Sequence, residues 1–126
     1  MLAVKKTKDG PVALFRKKYK KELKYWWPRD KEYTNDYLRR LYLEAEYYLA
    51  CSGNKLVRLA VESNEDLSYS IEERERDDKN YIVLGISSTS GGHSNILQWL
   101  YYDQEEGRLY EYDLPNDRLV LFDPAE

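Results

Sequence analysis

The sequence predicts an α+β domain in which two N-terminal helices pack on an antiparallel β-meander of four to six strands. In the first 50 residues, apolar side chains recur at steps of three and four, as on one face of a helix. Later they alternate with polar side chains, and turn-forming residues separate the alternating segments. The 126 residues, 42% of them apolar, are enough for one domain with a single core.

The single domain at 1–126 divides into three parts by composition. Residues 1–10 are interpreted as a flexible tail, 11–53 as the helical part and 54–126 as the antiparallel sheet. This element order is analogous to the curved sheet around a helix in cystatin-like or NTF2-like folds. Such an analogy says nothing about function.

The first predicted helix runs from Pro11 to Trp27. Proline suits a first helical turn because it lacks the N–H that would be unpaired there, and Pro28 is expected to end the helix. Lysines lie mainly outside the apolar stripe, so the helix is basic and amphipathic. The stripe consists of Val12, Phe15, Tyr19, Leu23 and Trp26.

The second predicted helix runs from about Asp36 to Ala50. Thr34 or Asn35 can cap its start, and the segment Ser52-Gly53-Asn54 can close its end. Its apolar side consists of Leu38, Leu41, Tyr42, Ala45 and Leu49.

After residue 53 the pattern favours strands. Periodicity does not distinguish helix from strand over Leu56 to Val61, and its β-branched valines favour a strand. Polar turns and a tight hairpin at Gln104 to Gly107 separate the later segments. These predicted strands start at Leu67 and then cover Tyr81 to Ser87, Ile96 to Asp103, Arg108 to Leu114, and Arg118 to Phe122.

Charge is distributed unevenly along the chain. Residues 1–40 carry 13 Lys and Arg against 5 Asp and Glu, a net of +8, and residues 41–126 carry 7 against 18, a net of −11. Each part therefore needs a surface of opposite charge, which could belong to the other part, a second copy or a foreign partner. A basic helix facing an acidic sheet across a two-fold axis would give a homodimer.

The composition argues against catalysis, metal binding and cofactor binding. The chain has one histidine, His93, and one cysteine, Cys51, and that cysteine lies near a helix C-terminus, which does not favour a thiolate. One histidine and one cysteine cannot build a structural zinc site without carboxylates, and no nucleotide-binding glycine motif is present. We therefore expect a non-enzymatic protein without a metal or cofactor.

No apolar segment approaches the length of a membrane span or a signal peptide. A single cysteine fits a reducing compartment, and the sequence predicts a cytoplasmic protein. An exported domain whose leader was removed stays open as an alternative.

The segment Ser87 to Asn95 is the most unusual of the predicted loops. Its glycines, hydroxyls and imidazole could form an adaptable recognition loop, with Ser90 and His93 as contacts. Loops of this composition are more often simple connections between strands, and that interpretation is favoured.

The function that the sequence predicts is that of an inhibitor or toxin-neutralising immunity-type protein. An acidic, tyrosine-bearing sheet would bind a basic protein partner, with tyrosines supplying contact area and carboxylates accelerating encounter. The candidate contacts are Glu72, Glu73, Glu75, Ser90, His93, Tyr101, Tyr102, Asp103, Tyr110, Glu111, Tyr112 and Asp113.

The alternative function is nucleic-acid binding through the basic aromatic N-terminal helix. Its cations would neutralise phosphates, and its aromatic rings would stack on exposed bases. The candidate residues are Lys17, Lys18, Lys20, Lys21, Lys24 and Trp27.

Overall fold

A computed structural model describes residues 8–124 of the chain. The helices are α1 (Asp9–Lys18), α2 (Asn35–Cys51) and α3 (Lys55–Glu62). The strands are β1 (Lys24–Trp26), β2 (Asp66–Arg76), β3 (Lys79–Ser90), β4 (His93–Asp103), β5 (Arg108–Asp113) and β6 (Arg118–Leu121).

The strands form one six-stranded sheet in sequence order from β1 to β6. Neighbours from β2 to β6 are antiparallel, and β1 runs parallel to β2 at one edge. The α+β class is confirmed. The predicted arrangement differs, because residues 8–124 contain three helices instead of two and β1 lies between α1 and α2, which makes the sheet mixed.

The predicted helix from Pro11 to Trp27 is too long, since α1 ends at Lys18. The next residue, Tyr19, is extended, and its buried hydroxyl accepts a hydrogen bond from Leu67 N (3.0 Å) and donates to Glu65 O (2.7 Å). These tertiary bonds direct the chain along β2 instead of around another helical turn. The stripe is still buried as far as Leu23, whereas the side chain of Trp26 is 53% exposed.

The helix α2 matches its prediction closely. Thr34 is the N-cap, and its side chain accepts a hydrogen bond from Tyr37 N. Leu41 and Ala45 are fully buried on the side that faces the sheet. The 1–10 tail prediction falls mostly on residues outside the described part, and within that part Asp9 and Gly10 already belong to α1.

The strand predicted from Leu56 to Val61 is wrong, because this segment is the helix α3. The Asn54 side chain caps it by accepting hydrogen bonds from Leu56 N and Val57 N. Its buried residues, Val57, Ala60 and Val61, are spaced for one helix face. The capping asparagine and this spacing outweigh the β preference of the valines.

The loop predicted from Ser87 to Asn95 is also wrong. β3 continues to Ser90 and β4 begins at His93, so the connection is a two-residue turn of Gly91 and Gly92, with φ +59° and +82°. Such turns need positive φ at both positions, which glycine adopts without strain. The flanking serines and threonine are paired strand residues.

The sheet has one face covered by the helices and one face that they leave uncovered. In β2, Leu67, Tyr69 and Ile71 are buried in the core, as their alternation predicts. Cross-strand register places the following residues on the same covered face: Ile82, Leu84, Ile86, Leu100, Tyr102 and Leu109. No helix within residues 8–124 is both long and apolar enough to span a bilayer.

Candidate functional site

The uncovered side of the sheet, called the open face below, carries aromatic and small side chains. Register places β1 Trp26, β2 Ser70, β3 Gly85 and β4 Trp99 in one row across four strands. The open face includes Lys24, Trp26, Ser68, Ser70, Glu72, Arg74, Arg76, Tyr81, Val83, Gly85, Ser87, Ile96, Trp99, Tyr101, Tyr110, Tyr112, Leu119 and Leu121.

Gly85 is required by the indole of Trp99. A Cβ at position 85 would lie 2.5 Å from Trp99 Cζ3 and 2.8 Å from Ser70 Oγ, both closer than van der Waals contact allows. Trp99 therefore packs directly on the backbone of β3. At the other end of the row Trp26 is 53% exposed, so the row has an indole at each end and the small residues Ser70 and Gly85 between them.

A tyrosine cluster covers the other half of the open face. The Tyr81 ring lies 5.5 Å from Tyr101 and 6.3 Å from Tyr110, and Tyr101 lies 5.7 Å from Tyr112. Tyr101 and Val83 are buried although neither belongs to the core under the helices. This half of the open face is therefore a small hydrophobic layer of its own.

Arg76 links the end of β2 with the β5–β6 turn. Its guanidinium donates to Asp117 Oδ1 (3.1 Å) and Asp117 O (2.6 Å) and lies 5.8 Å from the centre of the Tyr112 ring. The hydrogen bond from Tyr112, together with Arg76, lowers the pKa of Asp117. These contacts connect the end of β2 to the β5–β6 turn, so the tyrosine half is held in place.

Asp103 is fully buried and organises the β4–β5 turn. Its Oδ1 accepts from Glu105 N and Glu106 N, and Lys79 Nζ lies 2.6 Å from its Oδ2. Burial alone would raise the pKa of Asp103, but Lys79 and the turn N–H groups outweigh it and lower the pKa. This carboxylate is structural and unavailable to a partner.

The predicted contact residues are distributed over both faces of the sheet. Glu72, Tyr101, Tyr110 and Tyr112 lie together on the open face, with Asp103 beneath its edge. Glu72 is paired with Arg74 at 2.9 Å, so even this acid has an internal partner.

Two other predicted acids, Glu73 and Glu111, point to the side of the sheet that the helices cover. Glu73 accepts a hydrogen bond from Tyr33 and lies 3.6 Å from Lys31, and Glu111 accepts from Tyr48 at 2.6 Å. Burial and these carboxylates raise the pKa values of both tyrosine hydroxyls.

Four more predicted contacts lie apart from the open-face group. Tyr102 is buried in the core, and Asp113 binds Asn116 and lies near Arg118. Ser90 and His93 are exposed beside the Gly91-Gly92 turn.

Exposed acids remain at one end of the meander, called the acidic end below. It comprises the β2–β3 and β4–β5 turns with Glu75, and antiparallel topology places both turns at the same end of the sheet. Within residues 8–124, Glu75, Asp78 and Glu105 make no ion pair with another side chain, unlike Glu106, which binds Lys79. The acidic end is the part of the predicted acidic surface that stays available.

The predicted nucleic-acid residues do not share one helix face. Lys17 and Lys18 end α1 and Lys20 follows it, whereas Lys21 binds Asp66 (3.0 Å) and Asn64 O (2.6 Å). Lys24 lies on the open face beside Trp26, and Trp27 is half-buried against Tyr25 and Tyr33.

The basic first third is paired with the acidic remainder inside the molecule. Lys8 binds the buried Glu44, and Arg16 donates to both oxygens of the buried Glu46, at 2.9 and 2.6 Å. The hydrogen bond and charge of Glu46 raise the pKa of Arg16. Two cations of the basic first third are therefore neutralised by α1 docking on α2.

The nucleophile and metal candidates have little support. Burial raises the pKa of the Cys51 thiol, which disfavours a reactive thiolate. Between residues 8 and 124 no three His, Cys, Asp or Glu side chains are grouped to hold a metal ion.

Sequence reasoning missed the three open-face residues that shape the site, Trp26, Trp99 and Arg76. One signal was present for Trp99, because a glycine inside the apolar strand around Gly85 often marks a close approach of another group. Trp26 could not be found in this way, since its location depends on the parallel pairing of β1 with β2.

Comparisons with known proteins give no family for this chain. No protein-family model, curated protein or solved structure matches it. The analogy with cystatin-like or NTF2-like sheets stays a prediction.

Proposed function

We propose that the chain is a non-enzymatic protein-interaction module, of the inhibitor or immunity type, that binds a basic protein partner with its open face. The observation that supports this most is that all three helices contribute to the core on one side of the sheet, leaving the aromatic side uncovered. Tyrosine and tryptophan on a rigid sheet offer large contact area at low entropic cost and are enriched at protein interfaces.

One half of the open face is fixed by internal bonds, and the other half is accessible to a partner. Arg76 and Asp117 hold the tyrosine half, whereas Trp26 at the β1 edge is largely exposed. Such a surface binds with little ordering cost, because most of its side chains are fixed before the partner arrives.

The acidic end gives the proposal its partner chemistry. Asp78 and Glu105 lie at the turns that border the tyrosine half of the open face, and Glu75 lies in β2 next to the first of these turns, on the side of the sheet that the helices cover. Exposed carboxylates at the rim of an interface mainly increase the association rate with a basic partner. The proposed contacts are therefore aromatic in the centre and acidic at one rim, and the buried Asp103 and Tyr102 stay inside the fold.

Affinity capture with matched variants tests the proposal. We expect wild-type protein to retain a basic protein from cells of its source, and Trp26→Ala to shorten the lifetime of that complex. Glu105→Lys should slow association and weaken its salt dependence. The matched control is Leu14→Ala, which removes another exposed apolar side chain but from α1, within the helix layer.

Retention of no basic protein by the wild-type chain would contradict the proposal. So would a complex that resists both Trp26→Ala and Glu105→Lys, or that Leu14→Ala weakens to the same extent as Trp26→Ala. Circular dichroism of each variant shows whether the fold is intact.

Nucleic-acid binding stays the second proposal, supported by Lys24 and Trp26 lying side by side on the open face at the β1 edge. A base could stack on the indole while the ammonium group contacts a phosphate. Titration with single- and double-stranded oligonucleotides at low salt tests this, and binding should weaken steeply as salt rises. Lys24→Glu should abolish it, and the absence of any binding at low salt would exclude it.

A further inference from the structure

Strand β4 has an unpaired edge. It pairs with β3 from His93 to Tyr102, but it pairs with β5 only from Leu100 to Asp103. Within residues 8–124, the side of His93–Trp99 that faces away from β3 therefore has no neighbouring strand. We call this the free edge of β4.

A cleft opens where β5 separates from β4. Gln98 marks the point of separation, because its side chain donates to Trp99 O (3.0 Å) and Tyr112 O (2.9 Å). The cleft holds about 440 Å³, between the free edge and the turn at Leu114 and Pro115. A strand added in this cleft would lie about 4.8 Å from β4, the usual spacing between neighbouring strands.

The free edge carries an unusual composition for an exposed strand. Residues 80–102 include no Lys, Arg, Asp or Glu, although 34% of the chain is charged. Natural proteins protect exposed edges with charges, prolines or bulges, because unpaired backbone groups recruit other strands. A bulge is present at Leu97, whose side chain packs against the core, and the neighbouring Ile96, 49% exposed, lies opposite Ser87 on the open-face side of the free edge.

We propose that the free edge of β4 pairs antiparallel with the free edge of a second copy, joining two sheets across a two-fold axis. Any charge near such an axis faces its own copy, so self-pairing selects an edge without charges. A foreign strand would instead gain affinity from complementary charges, and the free edge itself offers none, while the acid that lines the cleft, Asp113, already lies 3.4 Å from Arg118. Ile96 and Leu114 would become buried as the second strand fills the cleft.

This dimer differs from one that a basic helix and an acidic sheet would form. That arrangement would compete with the bonds of Lys8 to Glu44 and of Arg16 to Glu46, which already satisfy these charges inside one chain. Pairing through β4 leaves both open faces uncovered on the same side of a continuous sheet. It would form whether or not the open face binds a partner.

Sedimentation velocity on the full chain tests the proposal. The wild-type protein should reach twice the mass of one 15.1 kDa chain as concentration rises. Ile96→Lys and Ile96→Glu should each raise the dissociation constant about tenfold or more, because like charges then meet across the axis. An equimolar mixture of the two variants should recover the dimer, since opposite charges now face each other.

Leu121→Lys is the matched control, because Leu121 is 48% exposed and lies on β6, two strands away from β4. It should leave the dimer intact. Amide hydrogen exchange should show that those N–H groups of residues 94–99 that point away from β3 gain protection as the wild-type dimer forms.

A monomeric wild type at every concentration would overturn the proposal. The same holds if the mixture of Ile96 variants stays monomeric, or if Leu121→Lys disrupts the dimer as strongly as Ile96→Lys. Recovery of the dimer in the mixture also shows that both variants are folded.

Discussion

Gly85 supports the open face because it has no side chain. Trp99 occupies the space that a Cβ would need, 2.5 Å from its Cζ3. We expect Gly85→Ala to destabilise the fold by about 1–3 kcal/mol, the usual cost of forcing extra volume into a packed site. Urea unfolding followed by tryptophan fluorescence measures this.

The control for this substitution is Gly53→Ala, where an added Cβ meets no atom within 4 Å and φ is not positive. It should change the free energy of unfolding by less than about 0.5 kcal/mol. Equal effects at the two glycines would show that Trp99 moves aside at no cost.

Asp103 should make stability depend on pH in the acid range. Its pKa in the folded protein lies below the ordinary value of about 3.9, so between these two values the unfolded chain binds a proton that the folded chain does not. The stabilisation that the Asp103 carboxylate contributes is present above about pH 4 and is lost as the pH falls through the pKa of Asp103 in the folded protein. Asp103→Asn should therefore be less stable than wild type at pH 7, and the difference should shrink in acid.

Denaturant unfolding at several pH values from 7 to 2 measures this difference. Asp78→Asn is the control, since it removes a carboxylate from an exposed turn with no ion pair inside the described range. A constant gap between wild type and Asp103→Asn at every pH would show that the effect comes from packing rather than from charge.

At the scale of the element, α3 shows how a local signal can decide between helix and strand. Asn54 Oδ1 accepts from Leu56 N and Val57 N, and Asn54 Nδ2 donates to Gln98. Asn54→Ala should cost about 0.5–2 kcal/mol through loss of the cap. Asn54→Ser keeps a capping oxygen but not the contact with Gln98, so it should recover most of that loss.

Thermal unfolding of the two Asn54 variants separates the cap from the contact with β4. If Ser is as destabilising as Ala, the contact between Asn54 and Gln98 is the larger contribution. The expected order is wild type, then Ser, then Ala.

Elements with a local signal could be predicted from the sequence, and those that depend on tertiary pairing could not. The alternation around Tyr69 and the Thr34 cap of α2 are read within a few residues of chain. The end of α1 depends on the bonds of Tyr19 with β2, which is some 50 residues distant in the chain. The sequence did not distinguish the two-residue Gly91-Gly92 turn from a longer loop, because the serines and the threonine beside it occur in strands and loops alike.

The candidate surface shows the same limit. Tyr101, Tyr110 and Tyr112, three of the predicted contacts, lie on the open face, and their role as contacts stays a prediction. Neighbouring residues of a strand point to opposite faces, so a contiguous set such as Tyr110 to Asp113 cannot form one contact surface. Residue identity suggested an acidic sheet, and only the register shows that Glu73 and Glu111 face the helices.

At the scale of the whole molecule, the two oppositely charged parts of the chain fold onto each other. Arg16 of α1 forms two hydrogen bonds with Glu46 of α2, and Glu46 is buried while the Arg16 side chain is 60% exposed. Partial exposure screens the pair and reduces its contribution. The attraction still matters, because removing the cation would leave a buried carboxylate without a counter-charge.

An exchange of these two charges tests whether docking of α1 depends on charge complementarity. Arg16→Glu should destabilise the protein by less than the roughly 3–5 kcal/mol typical of a broken, fully buried pair, because solvent reaches position 16. Adding Glu46→Arg restores opposite charges and should recover part of the lost free energy of unfolding, which a double-mutant cycle in urea measures. Additive losses would mean that α1 is held by Phe15 and Tyr19 in the core, with the ion pair contributing nothing to the docking.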